Sequence, residues 1–448
     1  MSSQPPNEVP LWQPIPEPRP ARPAWMKWLV AGLVAFCIIA LLSLGVAGYF
    51  ALQAMQKWQA SMMGLPQPAP ATPPAQACFI EVARFVAPTD VASLGTADTD
   101  AAGPAETLAL ARSDIIILDR AGRRVGSFRT AILSPPPPSG GPYAVATPGY
   151  RRADLKPATV RGKPAIAAAS GLDGAVVVYD PAGRELLRND VQGTRVTALE
   201  VADLNGDGES EILVGRDSQL GLSCLDRNGA ALWTFAGIPD PEVVVAADGA
   251  GDGKLEVYVG GGLTGASPLV VLDGKGRQIG QWPTAWGEIS LAGADLDGDR
   301  KAEFVAVVPD VLSQGGSFAA RAFNTSLIGL SPKGKETWRT LLSTGWAGMS
   351  TASLASGDFD GDRKGEWLVT GPDGTLRAYT KDGVELCRQG MGRFVAALVV
   401  TPPEKKGGRA RAWVATGSEV LGLDWRKWTG RPAKPKPGAT KSGNAAKP

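Results

Sequence analysis

The chain of 448 residues has no histidine. Without imidazole there is no Ser-His-Asp relay, no histidine proton shuttle and no histidine metal ligand, so the commonest hydrolase and zinc chemistries are excluded. Cysteine is nearly as scarce. Its four copies, Cys37, Cys78, Cys224 and Cys387, show no CxxC or other short metal-binding spacing. Cys37 falls in an apolar run, and the other three allow at most one disulfide; free, partly buried thiols are the expectation. Aromatics are modest at 7%, and no large excess of one charge exists. The net charge of +2 comes from the first 28 residues, Lys57 and the tail after Gly430, which leaves the middle acidic. An acidic body argues against nucleic acid as a partner, because its binders neutralise phosphates with clustered Lys and Arg.

Glycine (56) and proline (37) are abundant, a balance that suits many short strands joined by tight turns. One long apolar run breaks this texture. Leu29 to Phe50 is uncharged throughout, and as a helix these 22 residues would span roughly 33 Å, enough to cross a bilayer. Trp25 and Trp28 stand at one end and Tyr49 at the other, where amphipathic rings favour the headgroup level. Arg19, Arg22 and Lys27 precede the run and only Lys57 follows before Arg84, so the positive-inside rule keeps the N-terminus cytoplasmic. The expected organisation is a proline-rich disordered cytoplasmic tail at 1–28, a single-pass membrane helix at 29–50, a stalk at 51–77, a globular part at 78–430 exposed on the extracytoplasmic side, and a disordered basic tail at 431–448.

Seven times between residues 114 and 430 an apolar run is followed by a polar turn and a second short strand. Examples are DIIILDRAGRRVGSF (114–128), GLSCLDRNGAALWTF (221–235) and TLRAYTKDGVELCRQ (375–389); the last copy is EVLGLDWRKWTG (419–430). Turn glycines recur at Gly122, Gly183, Gly229, Gly276, Gly334 and Gly383. That is a β-hairpin at the period of a propeller blade. Ahead of each hairpin lies another strand pair, which makes four strands per unit. A four-stranded sheet with two apolar faces cannot bury both alone; stacking units in a ring buries each against its neighbour. The fold class expected is therefore all-β, a seven-bladed β-propeller of four-stranded blades preceded by one N-terminal transmembrane helix. An eight-bladed ring or an open solenoid is an alternative. CFIEVARFV (78–86) either opens the first blade or completes the last.

Between the second and third segments of four consecutive units stands a recurring acidic loop: DLNGDGESE from Asp203, DGAGDGKLE from Asp248, DLDGDRKAE from Asp295 and DFDGDRKGE from Asp358. The pattern is D-x-[DN]-x-D-G-x-x-E, with Arg replacing the second glycine in the last two. Oxygens at positions 1, 3 and 5 converge when the backbone curls, position 7 offers its carbonyl, and the position-9 carboxylate closes the shell. An oxygen-only set selects calcium over zinc or copper. β-type flanks exclude an EF-hand.

These loops at blade spacing resemble the FG-GAP or VCBS repeat family, the calcium-loop blades of integrin-α-like propellers. The resemblance covers roughly residues 150–430 and implies structural Ca2+. It places ligands at Asp203, Asn205, Asp207 and Glu211 with the Glu209 carbonyl, at Asp295, Asp297, Asp299 and Glu303 with the Lys301 carbonyl, and at Asp358, Asp360, Asp362 and Glu366 with the Lys364 carbonyl. Ala250 breaks the loop holding Asp248, Asp252 and Glu256, which is expected to bind weakly or not at all. The first, second and seventh blades are read as lacking the loop.

The expected role is that of a membrane-anchored binding or scaffold module for a protein or polysaccharide ligand, not an enzyme. Two alternatives stand beside it. Trp233, Trp282 and Trp338 near blade ends resemble the docking repeats of quinone-dependent dehydrogenases, and some polysaccharide lyases carry calcium-bearing propellers; the tryptophans are read instead as inter-blade packing. An assembly factor for a membrane complex is the other. Segments 131–150 and 309–325 are the expected contact loops.

Overall fold

The computed structural model describes residues 78–426 apart from 101–102, 133–152, 172–173, 218, 262–267, 283–289, 312–322, 344–352, 372–373 and 406. The expected tails, membrane helix and stalk lie outside the described residues, as do most of the two expected contact loops. Among the described residues no helix is long and apolar enough to cross a membrane.

Twenty-eight strands form seven antiparallel four-stranded sheets. The first strand, β1 (Phe79–Val86), stands apart from those that follow it. Blade 1 comprises β2 (Val91–Ala97), β3 (Glu106–Ala111), β4 (Asp114–Leu118) and β5 (Arg124–Arg129). Blade 2 comprises β6 (Ala153–Val160), β7 (Lys163–Ser170), β8 (Ala175–Tyr179) and β9 (Glu185–Asp190). Blade 3 holds β10 (Val196–Ala202), β11 (Glu211–Arg216), β12 (Gly221–Leu225) and β13 (Ala231–Phe235). Blade 4 holds β14 (Pro241–Ala247), β15 (Glu256–Gly261), β16 (Leu269–Leu272) and β17 (Gln278–Trp282). Blade 5 is β18 (Ser290–Ala294), β19 (Glu303–Val311), β20 (Phe323–Leu330) and β21 (Glu336–Ser343). Blade 6 is β22 (Leu354–Gly357), β23 (Glu366–Thr370), β24 (Thr375–Tyr379) and β25 (Glu385–Gly390). Blade 7 has only β26 (Ala397–Thr401), β27 (Arg411–Thr416) and β28 (Glu419–Trp425) from its own stretch of chain. Its fourth place is filled by β1, paired antiparallel with β28 from Phe79↔Trp425 to Val86↔Glu419. The last repeat therefore does not supply its own second strand, contrary to the expectation for 419–430; the strand at 78–86 completes the last blade.

The packing settles blade number and closure. Seven clusters of buried apolar residues exist, and each joins two neighbouring blades. One unites Trp413 and Val420 of blade 7 with Leu94 and Ile116 of blade 1, so the ring is shut. Second and third strands such as ILVG and VVVY are buried on both faces because a blade lies on either side. Each fully buried Val, Leu or Ile there contributes about 1.5–3 kcal/mol.

Six joints repeat one device. The glycine of each third-to-fourth-strand turn has positive φ and lies under a side chain from the preceding blade's outer strand. A Cβ on Gly276 would stand 2.5 Å from Trp233, on Gly334 2.2 Å from Trp282, and on Gly383 2.4 Å from Trp338. Only glycine satisfies both the turn and the contact. The indole N–H groups fasten the joints, Trp233 to the Gly274 carbonyl (3.1 Å), Trp282 to Pro332 (3.1 Å) and Trp338 to Lys381 (2.8 Å). The tryptophans thus serve inter-blade packing. Phe128 on Gly183, Leu187 on Gly229 and Ala83 on Gly122 do the same without the hydrogen bond.

Every outer strand also carries one β-bulge at the same place. In blade 1, Leu118 pairs Arg124 and Ile117 pairs Gly126, leaving Val125 unmatched; Leu186, Leu232, Ile279, Thr337, Leu386 and Val82 occupy that position elsewhere.

The cysteines depart from expectation. Cys78 and Cys387 form a disulfide across 309 residues, and among the described residues only Cys224 is free, buried in blade 3. Sequence spacing is blind to this pair because ring closure is what makes its members neighbours.

Candidate metal loops

All four acidic loops join the first and second strands of blades 3 to 6, so they line one end of the ring. The third-to-fourth-strand turns share that end. The second-to-third and fourth-to-first connections belong to the opposite end.

Each loop is wound by its own carboxylates. Asp203 Oδ1 accepts from Gly206 N (2.7 Å) and its Oδ2 from Gly208 N (2.8 Å). Asp248 accepts from Gly251 N and Gly253 N, Asp295 from Gly298 N and Arg300 N, and Asp358 from Gly361 N and Arg363 N in the same way. The position-5 carboxylate accepts from the position-7 N–H, as Asp207 does from Glu209 (2.8 Å), Asp299 from Lys301 (2.8 Å) and Asp362 from Lys364 (2.7 Å). The position-9 glutamate opens the second strand and accepts from the position-2 N–H: Glu211 from Leu204, Glu256 from Gly249 and Glu303 from Leu296 at 2.8 Å, Glu366 from Phe359 at 2.9 Å. Position 4 is glycine with positive φ in every loop, whereas position 6, Gly208 and Gly253 in two of them, gives way to Arg300 (φ 72°) and Arg363 (φ 70°), side chains forced into the left-handed region.

Neighbouring loops are stitched to one another. Ala302 N donates to the Asp248 carbonyl (2.8 Å), Gly365 N to Leu296 (2.6 Å) and Ala410 N to Asp358 (2.8 Å), so the arc is continuous from blade 4 to blade 7.

Three loops gather three carboxylates each with oxygens within 4.8 Å of one another: Asp295, Asp297 and Asp299; Asp358, Asp360 and Glu366; and Asp248, Asp252 and Glu256. The last forms despite Ala250. The loop at 203 carries an amide instead, and Asn205 Nδ2 donates to Glu211 Oε1 (2.8 Å) while its Oδ1 accepts from Asp207 N (2.8 Å). Burial pushes the carboxyls of Glu211, Glu256 and Glu303 up, and neighbouring carboxylates push the same way. Glu366 goes furthest, up to about 8, by burial first and then by Asp360, Asp362 and Asp358. A hard divalent cation fits such a set: oxygen donors alone, gathered around a glutamate that opens the second strand.

One loop is different. Lys381, from the blade 6 turn, pairs with Asp297 Oδ2, and this hydrogen bond holds Asp297 below the usual carboxylate range. The sequence gives no warning of it, since Lys381 is 84 residues away. Another feature was open to reading. In blade 1, DTDAAGPAE (98–106) keeps the pattern except for Ala102 at position 5, and Thr99 N donates to Glu106 Oε2 (2.7 Å), the same position-2 to position-9 bond. Blade 1 thus carries a degenerate copy rather than none. Blade 2 has the two-residue turn Arg161–Gly162, whose N–H groups are both capped by the Glu209 side chain. In blade 7 the place of the glutamate is taken by Arg411, bidentate on Asp424 (2.5 and 2.8 Å).

Comparison with known proteins agrees on the fold. The sequence profile of the lambda-carrageenase beta-propeller domain matches residues 166–280. No curated protein matches the chain by sequence. The solved structure of BBS1N in complex with ARL6DN is similar with a TM-score of 0.55 at 14% identity, over 79% of this chain and 98% of that one. BamB from Moraxella catarrhalis gives a TM-score of 0.43 at 14% identity, over 79% of this chain and all (100%) of that one. The V. cholerae biofilm matrix protein Bap1 gives 0.41 at 13%, over 74% and 76%. The likeness to BBS1N is one of fold; with its seven closed blades the chain is a β-propeller.

Proposed function

We propose that this chain is a calcium-stabilised propeller of the FG-GAP/VCBS type that binds a partner on the extracytoplasmic side of a membrane and carries out no reaction itself. The observation that carries the calcium part is the convergence of three carboxylates in each of three loops. Carboxylates gathered at such distances repel one another, and a cation among them relieves the repulsion. The disulfide between Cys78 and Cys387 supports an oxidising compartment, and with it the export expected from the apolar run at 29–50. A protein partner is supported by the occurrence of the fold in BBS1N, solved in complex with ARL6DN. A polysaccharide is the second reading, favoured by the carrageenase-domain match over 166–280.

The test is thermal unfolding of the purified full chain in chelator and in 10 mM calcium. For an affinity of about 10⁻⁴ to 10⁻³ M, each occupied loop adds roughly 1.4–2.7 kcal/mol. An unchanged midpoint removes calcium from the proposal. Cross-linking in the native membrane, set beside binding to a sulfated galactan, separates the protein partner from the glycan.

A further inference from the structure

Six of the seven joints place an outer-strand side chain on the turn glycine of the next blade, and the joint from blade 6 to blade 7 cannot. Blade 7 has no third-to-fourth turn, because β28 leads to the C-terminal side and β1 begins the ring. Two separate stretches of chain, at Cys78 and Arg426, stand where the turn would be, and Arg426 N donates to the Cys78 carbonyl (2.6 Å). Cys387 occupies the docking position on β25: it pairs with Ala378 just after the bulge, as Trp338 pairs with Gly329 and Trp233 with Cys224. Where those tryptophans rest on glycine, Cys387 is bonded to Cys78. Two residues further on, Gln389 Oε1 accepts from Phe79 N (2.9 Å). Both cysteines are buried, at 8% and 4% exposure, so the bond sits within the joint and not on its surface.

We propose that Cys78–Cys387 is a redox clasp standing in for the missing seventh turn, which locks the closing strand β1 into the ring. The other outer strands are tied to their sheets by a hairpin, so a strand that lifts off returns at once. β1 is joined to β28 by no turn and has its outer edge free. Without the clasp it is held by its pairing with β28, by Phe79 packed against Phe359 and Trp425, by the Gln389 hydrogen bond, by the Arg84–Glu419 ion pair and by the Ala83 contact, none of them covalent, and it opens locally while the other blades stay folded. Formation of the clasp joins the two sulfurs, releases two protons and passes two electrons to a disulfide-bearing oxidant, which leaves as a dithiol. Dithiothreitol reverses it, giving both electrons to the Cys78–Cys387 bond and closing into its own cyclic disulfide.

Amide hydrogen exchange on the oxidised full chain reads the state of β1 directly. Reduction with dithiothreitol should speed exchange over Phe79–Val86 by roughly 10-fold to 100-fold, with blades 3 and 4 unchanged. The variant C78S/C387S should match the reduced protein and respond no further to dithiothreitol. Unchanged β1 exchange on reduction overturns the proposal. So does equal loosening of every blade, or thiol titration that finds both cysteines free in the unfolded, unreduced chain. Should the double variant fail to fold, reduction of the native chain still decides the matter.

Discussion

Blades 6 and 7 are neighbours of the same four-stranded plan, yet they carry opposite charges at the same place. Blade 6 begins its second strand with Glu366, buried among Asp358, Asp360 and Asp362; blade 7 begins its own with Arg411, which brings Asp424 as a partner. The difference is one of self-sufficiency. Blade 7 is neutralised by its own chain, whereas blade 6 depends on what the solution supplies, either a proton or a cation.

The largest expected effect breaks the self-sufficient side. Arg411→Met leaves Asp424 without its partner and should cost about 2–4 kcal/mol, since the guanidinium is mostly buried and bidentate. The loss should be equal in chelator and in calcium. Glu366→Gln tests the dependent side: in chelator it should be close to neutral below about pH 4.5 and stabilising near pH 7, where the carboxyl must otherwise take up a proton to fold, and the calcium-induced gain should fall by the share of one loop, about 1–3 kcal/mol. Denaturant titrations of both variants give the comparison.

The acid side also sets a pH dependence. Glu366 has a folded value raised to about 8 against an ordinary 4.5, so between those values the folded chain holds a proton that the unfolded chain has lost. Stability in chelator should therefore be complete below about pH 4.5 for this group and decline as pH rises towards 8. Glu366→Gln should flatten that slope, measured as midpoint against pH. Smaller still is Lys381→Met, which frees Asp297 from its tethered ammonium and should raise the calcium gain slightly. Smallest is Arg363→Gly, expected to stabilise by about 0.5–1 kcal/mol through relief of the left-handed backbone.

Six hairpins and four acidic loops were legible because they are local: an apolar run, an Asp, Ser or Thr, a glycine at fixed offset. Closure was only half legible. The outer strands ELLR (185–188), ETWR (336–339) and ELCR (385–388) each hold a bidentate Glu–Arg pair, and EVAR (81–84) repeats it on β1. That match identifies 78–86 as a displaced outer strand, a signal present in the sequence but not used. The degenerate loop at 98–106 was hidden by Ala102. The disulfide, Lys381 over Asp297 and the Arg411–Asp424 pair were not legible, since each depends on which strands the ring brings side by side.

The bulges on the rim have a consequence for how the protein behaves among its own copies. A propeller leaves each sheet with an exposed final edge, and seven straight edges would be seven templates for another chain's strand. A kink at the same point of every one, with an aliphatic or threonine side chain out of step, spoils the register a visiting strand would need. A concentrated solution of these rings is thereby kept from zipping together sheet to sheet.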